Sequence, residues 1–406
     1  MVADKRKSKQ WIFPRHAVVR NLLYLPLLCY TKLAYHIKIE KFCDEQKRPY
    51  LILFNHQTAF DQFFVSLSFK QHVYYVASED LFSNGWVSRL ITWLVAPIPF
   101  RKSTSDITAV KNCLRIAKEG GSIGMAPEGN RTYSGTTEHI KPSVAALAKA
   151  LGLPIAIYRI EGGFGVHPRW SDTLRRGKMR SYVSRVIEPE EYASMSKEEL
   201  FAIIKQELYV DERKDTSNFY HKCTAEYLER VLYYCPFCGL SIFDSKNDTV
   251  TCRRCLRTVQ YLPNKTLKGV GFDFPYTTLK DWYDAQCQFV INVDTSLYGD
   301  SPLYSDAICF QESIYCKNKV KIDKNATLTL YADRIVVETA KETYTFSFTE
   351  LSAATVLGKN KLNLYKDNRV FQCKGKKQFN AVKYLNFYYR TLNVEEEGNN
   401  GRFLGL

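Results

Sequence analysis

The chain has 406 residues, which exceeds one average core and implies two or three domains. Apolar content is 45% and aromatic content 14%, values that exclude a disordered chain. The net charge of +15 points to anionic partners: nucleic acid, an acidic lipid surface or a phosphorylated substrate.

No stretch reaches the ~18 uninterrupted apolar residues of a spanning helix. The segment Ala17 to Ile37 comes nearest, but Arg20, Pro26 and Lys32 interrupt it. It reads either as an interfacial helix lying among lipid headgroups or as an ordinary core helix. From Tyr50 to Glu188, apolar runs alternate with amphipathic segments. Strands are expected at Tyr50–Phe54, His72–Ala77, Ala96–Phe100, Ser122–Ala126, Pro154–Ile160 and Met179–Val186. Helices are expected at Phe60–Phe69, Val87–Leu94, Thr104–Lys118 and Pro142–Leu151, and a charged one at Lys197–Lys214. Alternating strands and helices predict an α/β domain with a mixed central sheet covered by helices.

A cysteine module follows at 232–262, and Leu262–Asn264 with Gly269–Gly271 reads as a linker. Seven short strands are expected at Ile308–Tyr315, Ala326–Tyr331, Arg334–Glu338, Thr343–Phe348, Ala353–Leu357, Lys361–Tyr365 and Val370–Cys373. One helix, Gln378–Thr391, then places Phe379, Val382, Leu385 and Tyr388 or Tyr389 inward. By element count this β-rich domain is similar to a pleckstrin-homology barrel. The divisions are a membrane-associating segment at 1–40, the α/β domain at 41–215, a zinc ribbon at 232–262, the β-rich domain at 300–392 and a disordered tail at 395–406.

The cysteine signal is specific. Cys235-x2-Cys238 and Cys252-x2-Cys255 are two knuckles thirteen residues apart, the spacing of a closed tetrahedral zinc site. The remaining eight of the twelve cysteines are scattered, and the N-terminus has no signal-peptide pattern. A reducing cytoplasm is the expected setting.

Two His-x4-Asp spacings occur, His56…Asp61 and His167…Asp172. His56 follows an apolar strand and precedes a helix, a turn that puts polar groups at the carboxyl edge of a sheet. His167 lies in a Gly- and Arg-rich loop before Pro168 and reads as a loop residue that can face substrate. Residues five apart in a helix sit about 140° apart, so His56 must precede the helix for Asp61 to reach its ring. The pair then supplies a general base and the carboxylate that orients it. Alternatively, Asn55 and His56 cap the helix and Asp61 favours its positive end. A second turn, Pro127-Glu128-Gly129-Asn130-Arg131, combines a glycine with a guanidinium suited to phosphate. It reads equally as a plain turn with a surface Arg–Glu pair. Residues 101–185 around it carry 15 Lys and Arg against 6 Asp and Glu.

Together these blocks resemble the glycerolipid acyltransferase family, whose best-known members are 1-acyl-glycerol-3-phosphate acyltransferases. Ile98-Pro99-Phe100-Arg101 is similar to the family's intermediate block and Leu153–Ile157 to its last one. The resemblance covers about residues 15 to 210. It departs at Phe100, Ala126 and Asn130, which touches acceptor identity. It implies an O-acyltransferase of phospholipid synthesis that moves a fatty acyl group from acyl-CoA or acyl carrier protein to lysophosphatidic acid. Glycerol 3-phosphate or another lysophospholipid is the alternative acceptor. His56 and Asp61 would be catalytic, and Arg101, Glu128, Gly129 and Arg131 would bind substrate. Zinc would be structural, with no catalytic cofactor. The expected place is cytoplasmic, on the inner face of the membrane, with lipid, the thioester and the phosphorylated acceptor as partners. The rival classes are a zinc-ribbon nucleic-acid-binding protein and a non-catalytic lipid-binding scaffold. Nucleic acid is not the expected partner.

Overall fold

The computed structural model describes residues 10–44, 46–100, 107–314 and 318–395. Arg101 therefore lies outside the described residues, as do 1–9 of the N-terminal segment and 396–406 of the expected tail.

The chain opens with helix α1 (Pro14–Tyr30), extended by a π-helical turn at Thr31–Tyr35. Strands β1 (Ile37–Ile39), β2 (Leu51–Phe54), β3 (Val73–Ser78), β4 (Ile98–Phe100), β5 (Ser122–Met125), β6 (Ile155–Glu161) and β7 (Met179–Ile187) form one sheet, in the order β1-β7-β6-β2-β5-β3-β4. β1 and β7 run against the other five, so the sheet is mixed. All of β2 is buried, as a run of four apolar residues in the middle of a covered sheet should be. Its side chains alternate: Leu51 and Leu53 join the core on one face, Ile52 and Phe54 the core on the other.

The covering helices are α2 (Asp61–Ser68), α3 (Trp86–Val95), α4 (Ile107–Lys118), α5 (Ser143–Leu151), the short α6 (Gly163–Val166) and α7 (Pro189–Ala193), and α8 (Lys197–Leu208). Ser196 and Glu199 form a capping box that starts α8. The charged helix expected to reach Lys214 ends at Leu208; the chain turns at Tyr209 to dock Val210 beside Thr137.

The cysteine module holds β8 (Tyr234–Cys235) and β9 (Gly239–Leu240), then a four-stranded sheet of β10 (Phe243–Lys246), β11 (Thr249–Cys252), β12 (Thr258–Tyr261) and β13 (Leu267–Gly269). The expected linker is thus a correction: Leu267–Gly269 pairs with β12, and the turn at Pro263 and Asn264 is a hairpin tip. Helix α9 (Leu279–Asn292), capped by Thr278 and Asp281, was not expected. Leu279, Trp282, Tyr283, Gln286, Cys287 and Val290 bury one face at helical spacing.

The C-terminal sheet comprises β14 (Tyr304–Glu312), β15 (Val320–Leu330), β16 (Arg334–Glu338), β17 (Thr343–Ser347), β18 (Ala353–Leu357), β19 (Lys361–Lys366) and β20 (Arg369–Gly375). It is antiparallel throughout, in the order β17-β16-β15-β14-β20-β19-β18. Helix α10 (Val382–Glu395) starts four residues later than Gln378 because Phe379 first packs against Gly375, where a Cβ would meet its ring at 2.1 Å. Residues 381–388 are all buried, not one face of them, because the helix is held between this sheet and α9. Lys383 lies inside that contact and is neutralised by Asp306 at 2.7 Å. The cysteine module, the C-terminal sheet and α10 share one hydrophobic core, which also takes in Tyr133, Phe164 and Trp170 of the first domain.

Candidate active site

The site lies where β2 and β5 end. Asp61 is the first residue of α2 and is fully buried. Its Oδ2 accepts from the ring Nδ1 of His56 at 2.7 Å and from the Gln57 amide at 2.7 Å. Its Oδ1 accepts from the Thr58 amide at 3.0 Å and the Thr58 hydroxyl at 2.7 Å. His56 sits in the turn before the helix, as the five-residue spacing requires. The carboxylate only accepts, so the imidazole proton sits on Nδ1 and Nε2 is left with a lone pair. Burial lowers the His56 pKa; the bond to Asp61 pulls it back up, and Arg131 and Arg169 add to the fall. A neutral imidazole oriented in this way can take a proton through Nε2. The capping alternative fails for Asn55, whose side chain bonds both backbone groups of Ile160, at 2.7 and 2.8 Å, and pins β2 to β6.

The second turn lies directly against the first. Thr132 donates its amide to the His56 carbonyl at 3.0 Å. Glu128 is buried; its two oxygens accept from the amides of His56 and Glu138, each at 2.7 Å. Burial pushes its pKa well up, against the pull of those two amides. Its carboxylate is therefore a brace between the two turns. Gly129 adopts φ +69°, the left-handed conformation that turn needs. Arg131 is 9% exposed, and its Nη1 has no hydrogen-bond partner among the described residues. Burial, then Arg169, lowers its pKa to about 10, so it stays charged at neutral pH. A buried cation with an idle donor is a site short of an anion.

His56, Asp61, Glu128, Gly129 and Arg131 are thus brought together, whereas His167 and Asp172 are not a pair. His167 Nδ1 meets the Tyr35 hydroxyl at 3.1 Å. Asp172 is held by Arg230 at 2.8 Å and by Lys359 at 2.9 Å. The amides of Gln57, Thr58 and His56 all bind carboxylates, so none is free to stabilise an oxyanion. Sequence reasoning missed Thr58, which a Thr-x-x-Asp spacing at a helix start could have flagged. It also missed Arg169, for which no local signal exists.

An acyltransferase family model matches residues 36–160. Residues 36–160 are therefore an acyltransferase domain, similar to those of the glycerolipid acyltransferase family. The chain is 24% identical over 143 residues to the chloroplastic 1-acyl-sn-glycerol-3-phosphate acyltransferase BAT2 of Brassica napus, covering 34% of this chain and 41% of the relative. It is 22% identical over 137 residues to the 1-acyl-sn-glycerol-3-phosphate acyltransferase of Bacillus subtilis, covering 34% of this chain and 65% of that one. The chain therefore spans less than two thirds of either relative. Among solved structures, PlsC, the 1-acyl-sn-glycerophosphate (LPA) acyltransferase of Thermotoga maritima, aligns at 19% identity and a TM-score of 0.38, covering 46% of this chain and 77% of PlsC.

Elsewhere, the sulfurs of Cys235, Cys238, Cys252 and Cys255 lie within 4.8 Å of one another. No described helix is long and apolar enough to cross a membrane. α1 nevertheless exposes Val18, Leu22 and Leu25 at 3–4 spacing, and Leu33 beyond its end is exposed as well. α3, packed against α1, exposes Trp86, Leu90 and Trp93.

Proposed function

We propose that the protein is an O-acyltransferase that esterifies lysophosphatidic acid from an acyl thioester, acyl-CoA or acyl carrier protein. The observation that carries this reading is the abutment of the His56–Asp61 pair and the buried, partly idle Arg131 across the His56–Thr132 hydrogen bond. Nε2 of His56 takes the proton from the acceptor hydroxyl as its oxygen attacks the thioester carbonyl. Asp61 holds the ring and stabilises the imidazolium. The tetrahedral intermediate collapses to the ester, and the departing sulfur receives the proton from Nε2. Arg131 holds the acceptor's phosphate, Gly129 sets the turn that presents it, and Arg101 serves as a second phosphate ligand. Glycerol 3-phosphate and other lysophospholipids satisfy the same chemistry with a different tail.

The apolar stripes of α1 and α3 support a peripheral position on a membrane surface from which a lysolipid is drawn, and the net charge of +15 suits an anionic one. The four thiols fit a structural zinc ion: tetrahedral Zn–S bonds of about 2.3 Å put sulfurs about 3.8 Å apart, and Cys235–Cys255 and Cys238–Cys252 stand at 3.7 and 3.5 Å. The C-terminal strand order, a meander of four joined to a meander of three and followed by a helix, supports the pleckstrin-homology-like reading. Against the nucleic-acid alternative, Arg253 is paired with Asp244 and Arg254 with the Cys238 carbonyl.

The test is an acceptor panel of lysophosphatidic acid, glycerol 3-phosphate, lysophosphatidylcholine and monoacylglycerol, read as thiol released from acyl-CoA. Lysophosphatidic acid should give the highest kcat/KM. No stimulation of thiol release by any phosphorylated acceptor refutes the reading.

A further inference from the structure

The loops after β2, β3 and β5 all leave the carboxyl edge of the amino-terminal sheet, and the C-terminal sheet is fastened to two of them. At the loop after β3, Glu79 accepts from the Tyr365 hydroxyl at 2.5 Å, and Asp80 pairs with Lys319 and, at 3.8 Å, with Lys361. At the loop after β5 the fastener is Arg169, only 2% exposed. Its guanidinium donates to the Arg131 carbonyl at 3.0 Å and to those of Val356 and Gly358 at 2.9 and 3.3 Å. One buried cation thus joins the Gly129–Arg131 turn to the turn between β18 and β19.

Lys359 is the next residue in that turn. Its ammonium sits 2.9 Å from Asp172 Oδ1. Arg230 already holds both oxygens of Asp172, at 2.8 and 3.2 Å. Lys359 can therefore release Asp172 without leaving that carboxylate unpaired. Arg131, Arg169, Arg230 and Lys359 meet here with Asp172; burial lowers the Lys359 pKa, Asp172 opposes the fall, and the charges of Arg131 and Arg230 add to it.

We propose that the acceptor's phosphate is gripped by two cations distant in sequence, Arg131 from the turn after β5 and Lys359 from the C-terminal sheet. The C-terminal domain is then a wall of the acceptor pocket. This deepens the acyltransferase reading and rests on it. A phosphate monoester carries close to two charges and suits a pair of cations; a phosphodiester carries one and a monoacylglycerol none. Lys359 accordingly selects for monoesters.

The experiment uses the full chain with Lys359→Met, which keeps most of the aliphatic stem, and Lys359→Arg, which keeps the charge. Calorimetry with glycerol 3-phosphate needs no turnover. Lys359→Met should weaken binding about tenfold, the worth of one charge-assisted bond, and Lys359→Arg should restore most of it. In acyl transfer, the KM for lysophosphatidic acid should rise by a similar factor, with the KM for acyl-CoA and the rate with monoacylglycerol unchanged. Glycerol 3-phosphate binding that is undetectable in the unaltered chain, or equal in Lys359→Met, overturns the proposal. A KM rise confined to acyl-CoA also overturns it, by assigning Lys359 to the donor's phosphates. Lys359-dependent binding in a chain that transfers no acyl group upholds the two-cation site and refutes the acyltransferase reading.

Discussion

The loops at 56–61 and 167–172 share one spacing, His-x4-Asp, and differ in everything around it. At the first, a buried strand delivers His56 to a turn and α2 begins on the aspartate, so Asp61 faces back onto the ring and the two preceding amides. At the second, the short α6 precedes His167, whose ring bonds to Tyr35, while Asp172 bonds to cations from the stretch before the cysteine module and from the C-terminal sheet. A shared spacing produces a hydrogen-bonded His–Asp pair only where the backbone folds the two residues toward each other. Elsewhere the same residues become separate structural ties.

Substituting the two histidines gives the widest expected separation. His56→Ala should lower kcat by about a thousandfold, the loss of a general base, with the melting temperature little changed. His167→Ala should change kcat by less than about tenfold, because its ring bonds to the Tyr35 hydroxyl and to no carboxylate that could orient it as a base. Comparable losses at both positions would erase the distinction. The aspartates come next. Asp61→Asn should cost about a hundredfold or more in kcat, because an amide cannot accept all the N–H and O–H donors that converge on this carboxylate. Asp172→Asn should act on stability instead: Arg230 is 2% exposed and would lose its carboxylate, at a cost of about 3 kcal/mol measurable by denaturant melts. Thr58→Val is milder. It removes the hydroxyl that donates to Asp61 at 2.7 Å and should cost about 1 kcal/mol of stability and less than about tenfold in kcat. A kcat loss as deep as that of Asp61→Asn would make Thr58 a catalytic participant.

How much of this was written locally in the chain differs by scale. The β2 and β5 runs, the His56 turn and the Gly129 turn announce themselves, because a buried strand and a left-handed glycine each leave a short signature. Two C-terminal strands, Arg334–Glu338 and Ala353–Leu357, begin and end where alternation places them. β1 is three residues of an edge and has no alternation long enough to read. α9 did carry its signal, a Thr278–Asp281 capping box ahead of apolar residues at 3–4 spacing, hidden behind an expected linker. The contact of Arg169 with Val356 joins residues 187 apart, and no local pattern encodes it. Glu128 shows the same limit in the site itself: its charge suggests a pair with Arg131 or a contact with substrate, and only the fold reveals two backbone amides.

Acid titration also separates the two imidazoles. Burial lowers both pKa values. At His56 the bond to Asp61 opposes the fall; at His167, pushed down to about 3, no carboxylate bonds to the ring, Arg131, Lys359 and Arg175 reinforce the fall, and Asp172 opposes it only from a distance. A base must be neutral to act, so kcat/KM should climb with pH to a plateau, its inflection below the ordinary histidine value of about 6.5. Stability follows the other ring. The folded protein holds His167 neutral, while the unfolded chain binds a proton near pH 6.5. Its contribution is complete above about pH 6.5 and shrinks as pH falls toward 3, by at most about 1.4 kcal/mol per pH unit. His167→Gln should flatten the loss of unfolding free energy between pH 6.5 and 4 and leave the kcat/KM inflection in place. An inflection that moves with His167→Gln would show that the second loop, and not only the first, governs proton transfer.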